Sequence, residues 1–281
     1  MKVLRANTAG FCMGVSLALK RLDEALEERQ KPIATFGPII HNPQVLAKYA
    51  NKGVRQITRV DEATPSECVI IRAHGIPRTE EALLMESGAQ LVDATCPRVK
   101  AAQLAIDRAT RQRQCLLLFG EADHPEVRGL LSYAHAERYV FGSLDECKAL
   151  PLEPAGCYAL AAQTTQDIRQ FMAIQAYLEQ RLDRSIPTLH TICDATEKRQ
   201  NEALEIAAKV DCMVVVGGHE SGNTRRLAEL VAGAGIPALH VENEKELDAA
   251  FFRQKCFAGL TAGASTPKSL IDAVEFFLET L

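Results

Sequence analysis

The sequence has no long hydrophobic run, which argues against a chain with membrane-spanning helices. No apolar stretch approaches the roughly 18–20 residues that a bilayer span needs, and the opening residues, MKVLR, lack the apolar stretch of a signal peptide. Blocks of like charge are missing too, since a net charge of −4 comes from interspersed acids and bases. These absences predict a cytoplasmic protein that acts on a small molecule, with no membrane or nucleic-acid partner.

Several motifs of common cofactor sites are also missing. The chain has no C-x-x-C pair, no ferredoxin-type cysteine run and no clustered cysteine triplet of the radical enzymes. Without a Walker lysine or a G-x-G-x-x-G, a bound nucleotide is not expected. What the chain does contain is 281 residues, 47% of them hydrophobic, and nine cysteines. That is enough for one large domain or for two to three small ones, with the cysteines kept as reduced thiols.

Three of the cysteines occupy the same place in a repeated pattern. Each follows a short strand-like segment and precedes a helical one. The predicted strand and helix are residues 2–6 and 16–28 around Cys12, residues 90–94 and 99–110 around Cys96, and residues 189–192 and 197–209 around Cys193. Each thiol is therefore predicted to lie where a strand ends and a helix begins.

Two further polar positions recur in each repeat. The first comes four residues after an apolar strand that ends in glycine, and it is occupied by His41, His124 and Ser221. These residues lie 29, 28 and 28 residues after their cysteines, a close agreement that favours a true repeat. The second comes where a later apolar strand runs into a polar turn, at His74, Thr164 and Ser265.

Strands that alternate with helices at this spacing are typical of parallel βαβ units, whose ligands gather at the carboxyl ends of the strands. All nine repeated positions fall at that edge. We therefore predict an α/β fold of three small lobes with parallel sheets, related by a pseudo-threefold axis around one central site. The predicted lobes are residues 1–95, 96–192 and 193–281. The alternative is one doubly wound sheet with incidental spacing.

The three repeated cysteines form a soft ligand set. A thiol at a helix N-terminus meets unpaired N–H groups and the positive end of the helix dipole, which favour the thiolate. Three thiolates suit either Zn²⁺ with a water or a [4Fe–4S] cluster with an open fourth iron, and their wide spacing favours the cluster. The other cysteines are predicted to be structural and mostly buried: Cys68, Cys115, Cys147, Cys157, Cys212 and Cys256.

The remaining repeated groups are mostly neutral donors near helix starts, which together suit an anion. Three histidines could neutralise a diphosphate without Mg²⁺ if they were protonated. A single serine or threonine in such a position is more often a helix cap, and only the threefold repetition favours binding. Glu126, directly after Pro125 at a helix start, serves either the helix dipole or proton donation.

At this point the motifs resemble those of the 4-hydroxy-3-methylbut-2-enyl diphosphate reductase family, iron–sulfur enzymes of the non-mevalonate isoprenoid pathway. The matching segments span nearly the whole chain and are AGFCMGV (9–15), FGPIIHNPQV (36–45), RAHGIP (72–77), DATCPRV (93–99), HPEVRG (124–129), QTT (163–165), TICDATEKRQ (191–200), SGNT (221–224) and TAGAS (261–265). One departure is His219-Glu220, where lysine-asparagine is common in the family.

The resemblance implies a central [4Fe–4S] cluster on Cys12, Cys96 and Cys193, with Glu126 as proton donor. As a mechanistic hypothesis, Thr164 relays the proton from Glu126. It also implies substrate contacts from His41, His74, His124, Thr164, Ser221, Asn223 and Ser265. At Gly222, where many members have serine, the backbone N–H can still bind phosphate. The reaction would convert an allylic diphosphate to isopentenyl and dimethylallyl diphosphate with electrons from reduced ferredoxin or flavodoxin. On the residues alone, a Cys₃ zinc hydrolase and an iron–sulfur redox sensor or electron carrier stay open.

Overall fold

The computed structural model describes residues 1–28, 31–111 and 114–281, in which strands and helices alternate along the chain. The strands are β1 (Lys2–Arg5), β2 (Ile33–Phe36), β3 (Arg55–Ile57), β4 (Cys68–Ile71), β5 (Gln90–Asp93), β6 (Cys115–Phe119), β7 (Arg138–Phe141), β8 (Tyr158–Ala162), β9 (Cys212–Val216), β10 (Ala238–Val241) and β11 (Phe257–Ala262). The helices are α1 (Met13–Glu28), α2 (Pro43–Asn51), α3 (Arg78–Glu86), α4 (Pro97–Thr110), α5 (Pro125–Leu131), α6 (Leu144–Lys148), α7 (Ile168–Leu182), α8 (Asp194–Ala207), α9 (Gly222–Ala232) and α10 (Lys268–Thr280). In this described part of the chain, no helix has both the length and the apolar character needed to cross a bilayer.

The strands form three parallel sheets, with the orders β1-β11-β9-β10, β3-β2-β4-β5 and β7-β6-β8. Some of the inner strands are unbroken apolar runs, such as CLLLF in β6 and CMVVV in β9, in which every residue is buried. Such runs are typical of parallel strands covered by helices on both faces. The predicted α/β class with three small parallel sheets is confirmed, and the single doubly wound sheet is wrong.

The chain separates into two compact units, of which the first comprises residues 1–16, 40–52 and 194–281. It contains the sheet β1-β11-β9-β10. Val214 and Leu260 of this sheet belong to the same core as Ile271, Val274 and Leu278 of α10. The three α10 residues are spaced by three and four positions, so they line one face of the helix.

The second unit comprises residues 17–39 and 53–193 and contains the other two sheets. Around β3-β2-β4-β5 the core includes Phe36, Ile57 and Leu84. Around β7-β6-β8 it includes Phe119 and Phe171. Each sheet in this unit therefore has an apolar core of its own.

For Cys12 and Cys96, the strand before the cysteine pairs with a strand that belongs to a different repeat. In the first unit β1 pairs with β11, with Lys2 opposite Phe257. In the second unit β5 pairs with β4, with Gln90 opposite Cys68. The division into lobes 1–95, 96–192 and 193–281 stays a prediction, although β1 pairs with a strand of the last predicted lobe.

The predicted strand at residues 189–192 is wrong. Thr188 forms only an isolated parallel bridge to Leu160. Beyond it the Thr191 hydroxyl replaces a backbone partner, because its Oγ1 bonds both the N–H and the carbonyl of Ala162, at 2.8 and 2.6 Å. A side chain thus satisfies the edge of β8, and no ladder of backbone hydrogen bonds is needed.

Candidate functional site

The three repeated cysteines share one local geometry. All three are free thiols of intermediate burial, and each directly precedes a helix (α1, α4 and α8), so the helices begin two or three residues earlier than predicted. The backbone N–H of each donates to a carbonyl two residues beyond a strand end: Cys12 to Ala264 (3.2 Å), Cys96 to Ala73 (2.9 Å) and Cys193 to Thr164 (2.9 Å). The predicted repeat therefore has a physical counterpart in the backbone.

The chemistry of each of these thiols suits a ligand of an iron–sulfur cluster. Partly exposed thiols at helix starts are favourable thiolate ligands, and none of the three is engaged in a disulfide. Core cysteines differ, because burial raises the pKa of both Cys115 and Cys147 to about 11 and keeps these thiols protonated.

The predicted burial of the structural cysteines is confirmed for Cys68, Cys115, Cys147 and Cys212 and is wrong for two others. Cys157 and Cys256 are exposed. Each directly precedes a strand, β8 or β11, and so lies at the amino end of the strand rather than inside the sheet. Both cysteines stand at the start of an apolar segment in the sequence, and the sequence gave no sign that they would be exposed.

Six of the predicted site residues belong to the first unit: Cys12, His41, Ser221, Gly222, Asn223 and Ser265. Ser265 connects two of the repeated positions, because its hydroxyl donates to the His41 carbonyl at 3.1 Å and lies 3.5 Å from Ser221 Oγ. Ser221 also caps α9 through Thr224 N–H, at 3.4 Å. Gly222 is the first residue of α9, where N–H groups have no partner within the helix.

Two buried amide groups in this unit are suited to an anion. Asn42 is 1% exposed and caps α2, with its Oδ1 accepting from Val45 N–H at 2.9 Å. Its Nδ2 and that of Asn223 are buried and lack a hydrogen-bond partner among the described residues. A buried donor that lacks an acceptor lowers the stability of the fold by about 1–3 kcal/mol. An anion that accepted hydrogen bonds from both amide groups would remove this cost.

A close approach fixes the start of α9 against the end of β11. Gly263 has no room for a side chain, because an added Cβ would lie 2.0 Å from Thr224 Oγ1. Thr224 itself is fully buried, and its Oγ1 lacks a partner among the residues described. The helix that carries Ser221 and Asn223 is thus positioned by this contact.

The other six predicted residues belong to the second unit: His74, Cys96, His124, Glu126, Thr164 and Cys193. Their centre is a buried pair, with Glu126 1% and Thr164 4% exposed. The N–H of Thr164 donates to Glu126 Oε1 at 2.6 Å, and its hydroxyl donates to Oε2 at 3.0 Å. Because the Thr164 carbonyl also accepts the Cys193 N–H, one residue joins the carboxylate to a predicted cluster ligand.

His124 lies beside this pair as the N-cap of α5. Its Nδ1 accepts the Glu126 N–H at 3.1 Å, and a backbone amide can only donate. Nδ1 therefore carries no proton, so His124 is neutral and its Nε2 holds the hydrogen. The ring packs edge-on against His74, with centroids 5.4 Å apart. A protonated His124, one condition under which three histidines could neutralise a diphosphate without Mg²⁺, is not compatible with this geometry.

Charged groups fix the segment that follows His74. Arg78, the first residue of α3, lies 3.4 Å from Asp107 Oδ1, which also lies 2.8 Å from His135 Nε2. Arg111 donates to the other oxygen at 2.9 Å. The hydrogen bond from His135 and the charge of Arg111 hold the pKa of Asp107 below its ordinary value. This carboxylate is thus ionised and holds α3 in place.

Sequence reasoning did not single out Arg199 and Glu202 of α8. Arg199 is 4% exposed, and Glu202 binds the segment before Cys12 through the N–H groups of Asn7 and Thr8, both at 2.8 Å. The sequence did contain a sign that Arg199 is buried, because it lies on the same face of α8 as the buried residues Thr196 and Ala203. A charge on such a stripe marks a specific partner.

Comparisons with known proteins agree with the motifs. A family model described as LytB protein matches residues 3–279. The 4-hydroxy-3-methylbut-2-enyl diphosphate reductase of Nitratidesulfovibrio vulgaris (strain DSM 19637 / Miyazaki F) is 59% identical over 281 residues, covering 100% of both chains. The enzyme of the same name from Pelobacter propionicus is 43% identical and covers 98% of this chain and 96% of its own.

Solved structures give the same result. The E-1-hydroxy-2-methyl-but-2-enyl-4-diphosphate reductase of Plasmodium falciparum superposes with a TM-score of 0.93 at 26% identity, covering 100% of this chain and 87% of that one. A second solved diphosphate reductase, described as the terminal enzyme of the non-mevalonate pathway, has a TM-score of 0.71 at 37% identity and full coverage of both chains. The resemblance found in the motifs is confirmed, and the chain belongs to the LytB protein family of diphosphate reductases.

Proposed function

We propose that the protein catalyses reductive dehydroxylation of (E)-4-hydroxy-3-methylbut-2-enyl diphosphate to isopentenyl diphosphate and dimethylallyl diphosphate. In this reaction the allylic C–O bond breaks, a C–H bond forms, and two electrons and two protons are consumed as the oxygen leaves as water. A [4Fe–4S] cluster held by Cys12, Cys96 and Cys193 would supply the electrons and a Lewis acid. Reduced ferredoxin or flavodoxin would serve as donor, in the cytoplasm.

The observation that carries this proposal is the bonding of Thr164. Its hydroxyl and N–H contact the buried Glu126 carboxylate, while its carbonyl accepts the N–H of Cys193. The proposed proton source is thereby linked to the backbone of a proposed cluster ligand, as a reaction that couples electron transfer to loss of hydroxide requires. A simple electron carrier has no need of such a pair.

Glu126 and Thr164 would deliver the first proton. The Thr164 hydroxyl can rotate so that it accepts from a protonated Glu126 and donates outward, which makes it a relay. Burial of both residues keeps bulk water away from this path. The second proton, which forms the C–H bond, would come from the substrate's own diphosphate.

The remaining donors would bind the diphosphate. Asn42 and Asn223 contribute buried amide groups, and Gly222 contributes a helix N-terminal N–H. Ser221 and Ser265 add hydroxyls. Neutral His124 adds its Nε2–H, so His41 and His74 are the histidines left to balance the negative charge.

The experiment is anaerobic purification followed by iron and sulfide analysis and an assay with reduced viologen. We expect a brown protein with about four iron and four sulfide that consumes the allylic diphosphate. The saturated alcohol analogue should not react, because its C–O bond is not allylic. Colourless, zinc-loaded protein would contradict the proposal, and so would a brown protein that leaves the substrate untouched.

Matched serine variants test the ligand assignment. Cys12→Ser, Cys96→Ser and Cys193→Ser should each lose or destabilise the cluster. Cys157→Ser makes the same change at an exposed thiol and should retain iron. Equal iron contents in the Cys96 and Cys157 variants would refute the assignment.

A further inference from the structure

A buried arginine on α8 is not used by the proposed reaction. Arg199 is 4% exposed and lies on the inward stripe of the helix that begins directly after Cys193. Burying a guanidinium is costly unless a negative group compensates it. The question is therefore which group balances its charge.

The hydrogen bonds of Arg199 go to backbone carbonyls. One Nη donates to the Ala262 carbonyl, at the end of β11, and the other donates to the Gly10 carbonyl at 2.9 Å. Gly10 precedes Cys12 by two residues. The arginine thus fixes the backbone that leads into Cys12, but neutral carbonyls do not cancel a full charge.

The acidic neighbour of Arg199 is occupied elsewhere. Glu202, three residues further along α8, accepts at Oε1 from Asn7 N–H and at Oε2 from Thr8 N–H and its hydroxyl, within 2.6–2.8 Å. In the part of the chain that the structure describes, no carboxylate forms an ion pair with Arg199. Burial lowers the pKa of the Arg199 guanidinium, while electrostatic interactions with Cys12 and Glu202 oppose that shift.

We infer that Arg199 is a positioning residue whose buried positive charge is balanced by the Cys12 thiolate and by the cluster that Cys12 helps to hold. This inference rests on the proposed function. A buried cation close to a cluster stabilises the reduced state, which carries one more negative charge. Arg199 therefore raises the reduction potential of the cluster, in addition to holding the segment from Gly10 to Cys12.

The test is a redox titration of the full-length, anaerobically purified protein, followed by electron paramagnetic resonance. Arg199→Gln keeps a donor of similar shape but removes the charge. We expect its reduction equilibrium to shift toward the oxidised cluster by about tenfold or more, which is about 59 mV for a one-electron couple. Arg199→Lys keeps the charge and should stay within about threefold of the parent protein.

Lys198→Gln provides the matched control. It removes a cation from the adjacent position of the same helix, where the side chain is exposed and screened by water and salt. Its cluster potential should match that of the parent protein. An effect as large as that of Arg199→Gln would mean that net charge, and not this buried group, sets the potential.

The outcomes separate the inference from the function beneath it. A parent protein without a cluster refutes the proposed function. A parent protein with a cluster, together with an unchanged potential in Arg199→Gln, refutes the inference alone. If the glutamine variant loses iron while the lysine variant retains it, the charge is required. Equal loss of iron or of folded structure in both variants, judged by circular dichroism, overturns the electrostatic role, because the hydrogen-bond geometry alone would then explain Arg199.

Discussion

At Glu126 the surroundings decide what a carboxylate can do. A glutamate in the first turn of a helix usually serves the helix dipole from the surface, whereas this one is 1% exposed and receives two hydrogen bonds from Thr164. We predict that Glu126→Gln lowers turnover by roughly 10²-fold or more, the scale of general acid catalysis. The fold should persist, because the Thr164 hydroxyl can rotate to accept from the new amide.

Asp123→Asn is the control for this variant. It removes the same charge three residues earlier, at an exposed position of the same segment, and should retain near-parental turnover. The measurement is substrate consumption with reduced viologen, normalised to iron content. Near-normal turnover of Glu126→Gln with a full cluster would remove Glu126 from the proposed mechanism.

Asp107 provides a prediction about pH. Because its folded pKa is lowered, chiefly by the hydrogen bond from His135 and the charge of Arg111, its contribution to stability is present above the ordinary aspartate pKa of about 3.9. That contribution disappears as the pH falls through the lowered folded pKa. Asp107→Asn should therefore reduce the urea midpoint at pH 7, and the difference from the parent protein should shrink below about pH 4.

The control for the Asp107 experiment is Asp61→Asn. Asp61 pairs with Arg59 at the surface, where both side chains are mostly exposed, and such pairs contribute little to stability. Its urea midpoint should match that of the parent protein at either pH. A pH-independent loss in Asp107→Asn would show that side-chain packing, and not the ionised carboxylate, stabilises this region.

Individual residues were predictable where a position recurs. Cys12, Cys96 and Cys193 each directly precede a helix, and the backbone N–H of each makes the same kind of hydrogen bond to a carbonyl beyond a strand end. Arg199 was missed because its role depends on a carbonyl 189 positions away in the chain. Which ring nitrogen of His124 carries the hydrogen could not be predicted either, because it follows from the direction of the Glu126 backbone N–H.

Among the elements, α9 depends on a contact that its own sequence does not reveal. Gly263→Ala would place a methyl group against Thr224 and should destabilise the protein by about 1–3 kcal/mol, the usual cost of overpacking a core. Thr224→Ala added to this variant should restore part of the loss, because it removes the clashing hydroxyl. Urea unfolding of both single variants and the double variant measures this coupling.

Gly233→Ala is the matched change at the end of the same helix. An added Cβ there has ordinary clearance of 3.4 Å from Glu229 O, so the substitution should be neutral or slightly stabilising. If Gly263→Ala were equally harmless, the start of α9 would be free to move away from β11, and the tight packing described here would not determine its position.

Strands and helices could be predicted where their causes are local in the sequence, and could not be predicted where they depend on a distant contact. The strands predicted at residues 2–6 and 90–94 exist as β1 and β5, and each ends one residue earlier than predicted. Residues 189–192 have a strand-like composition, but the Thr191 hydroxyl satisfies β8 in place of a backbone ladder. A hydroxyl that competes with the backbone leaves no trace in hydrophobic periodicity.

On the scale of the whole molecule, the proposed cluster should stabilise the fold by mass action. A group that binds only the native chain at a hundredfold excess over its dissociation constant adds about 2.7 kcal/mol. For a chain of this size that corresponds to roughly 5–10 °C in Tm. We expect anaerobic calorimetry to give the holoprotein a higher Tm than chelator-treated protein, with no such difference for Cys96→Ser. Equal Tm values for holoprotein and chelated parent would contradict binding by all three cysteines.

The pairing of β1 with β11 sets an order of events during synthesis. Lys2 lies opposite Phe257 and Cys12 N–H donates to the Ala264 carbonyl, so β1 and Cys12 lack these partners until β11 has been synthesised. The sheets β3-β2-β4-β5 and β7-β6-β8 are complete by residue 162 and can fold while translation continues. The nascent chain therefore carries Cys12 unanchored until β11 emerges, so the proposed cluster, which Cys12 would help to hold, would be completed only after that strand has been made.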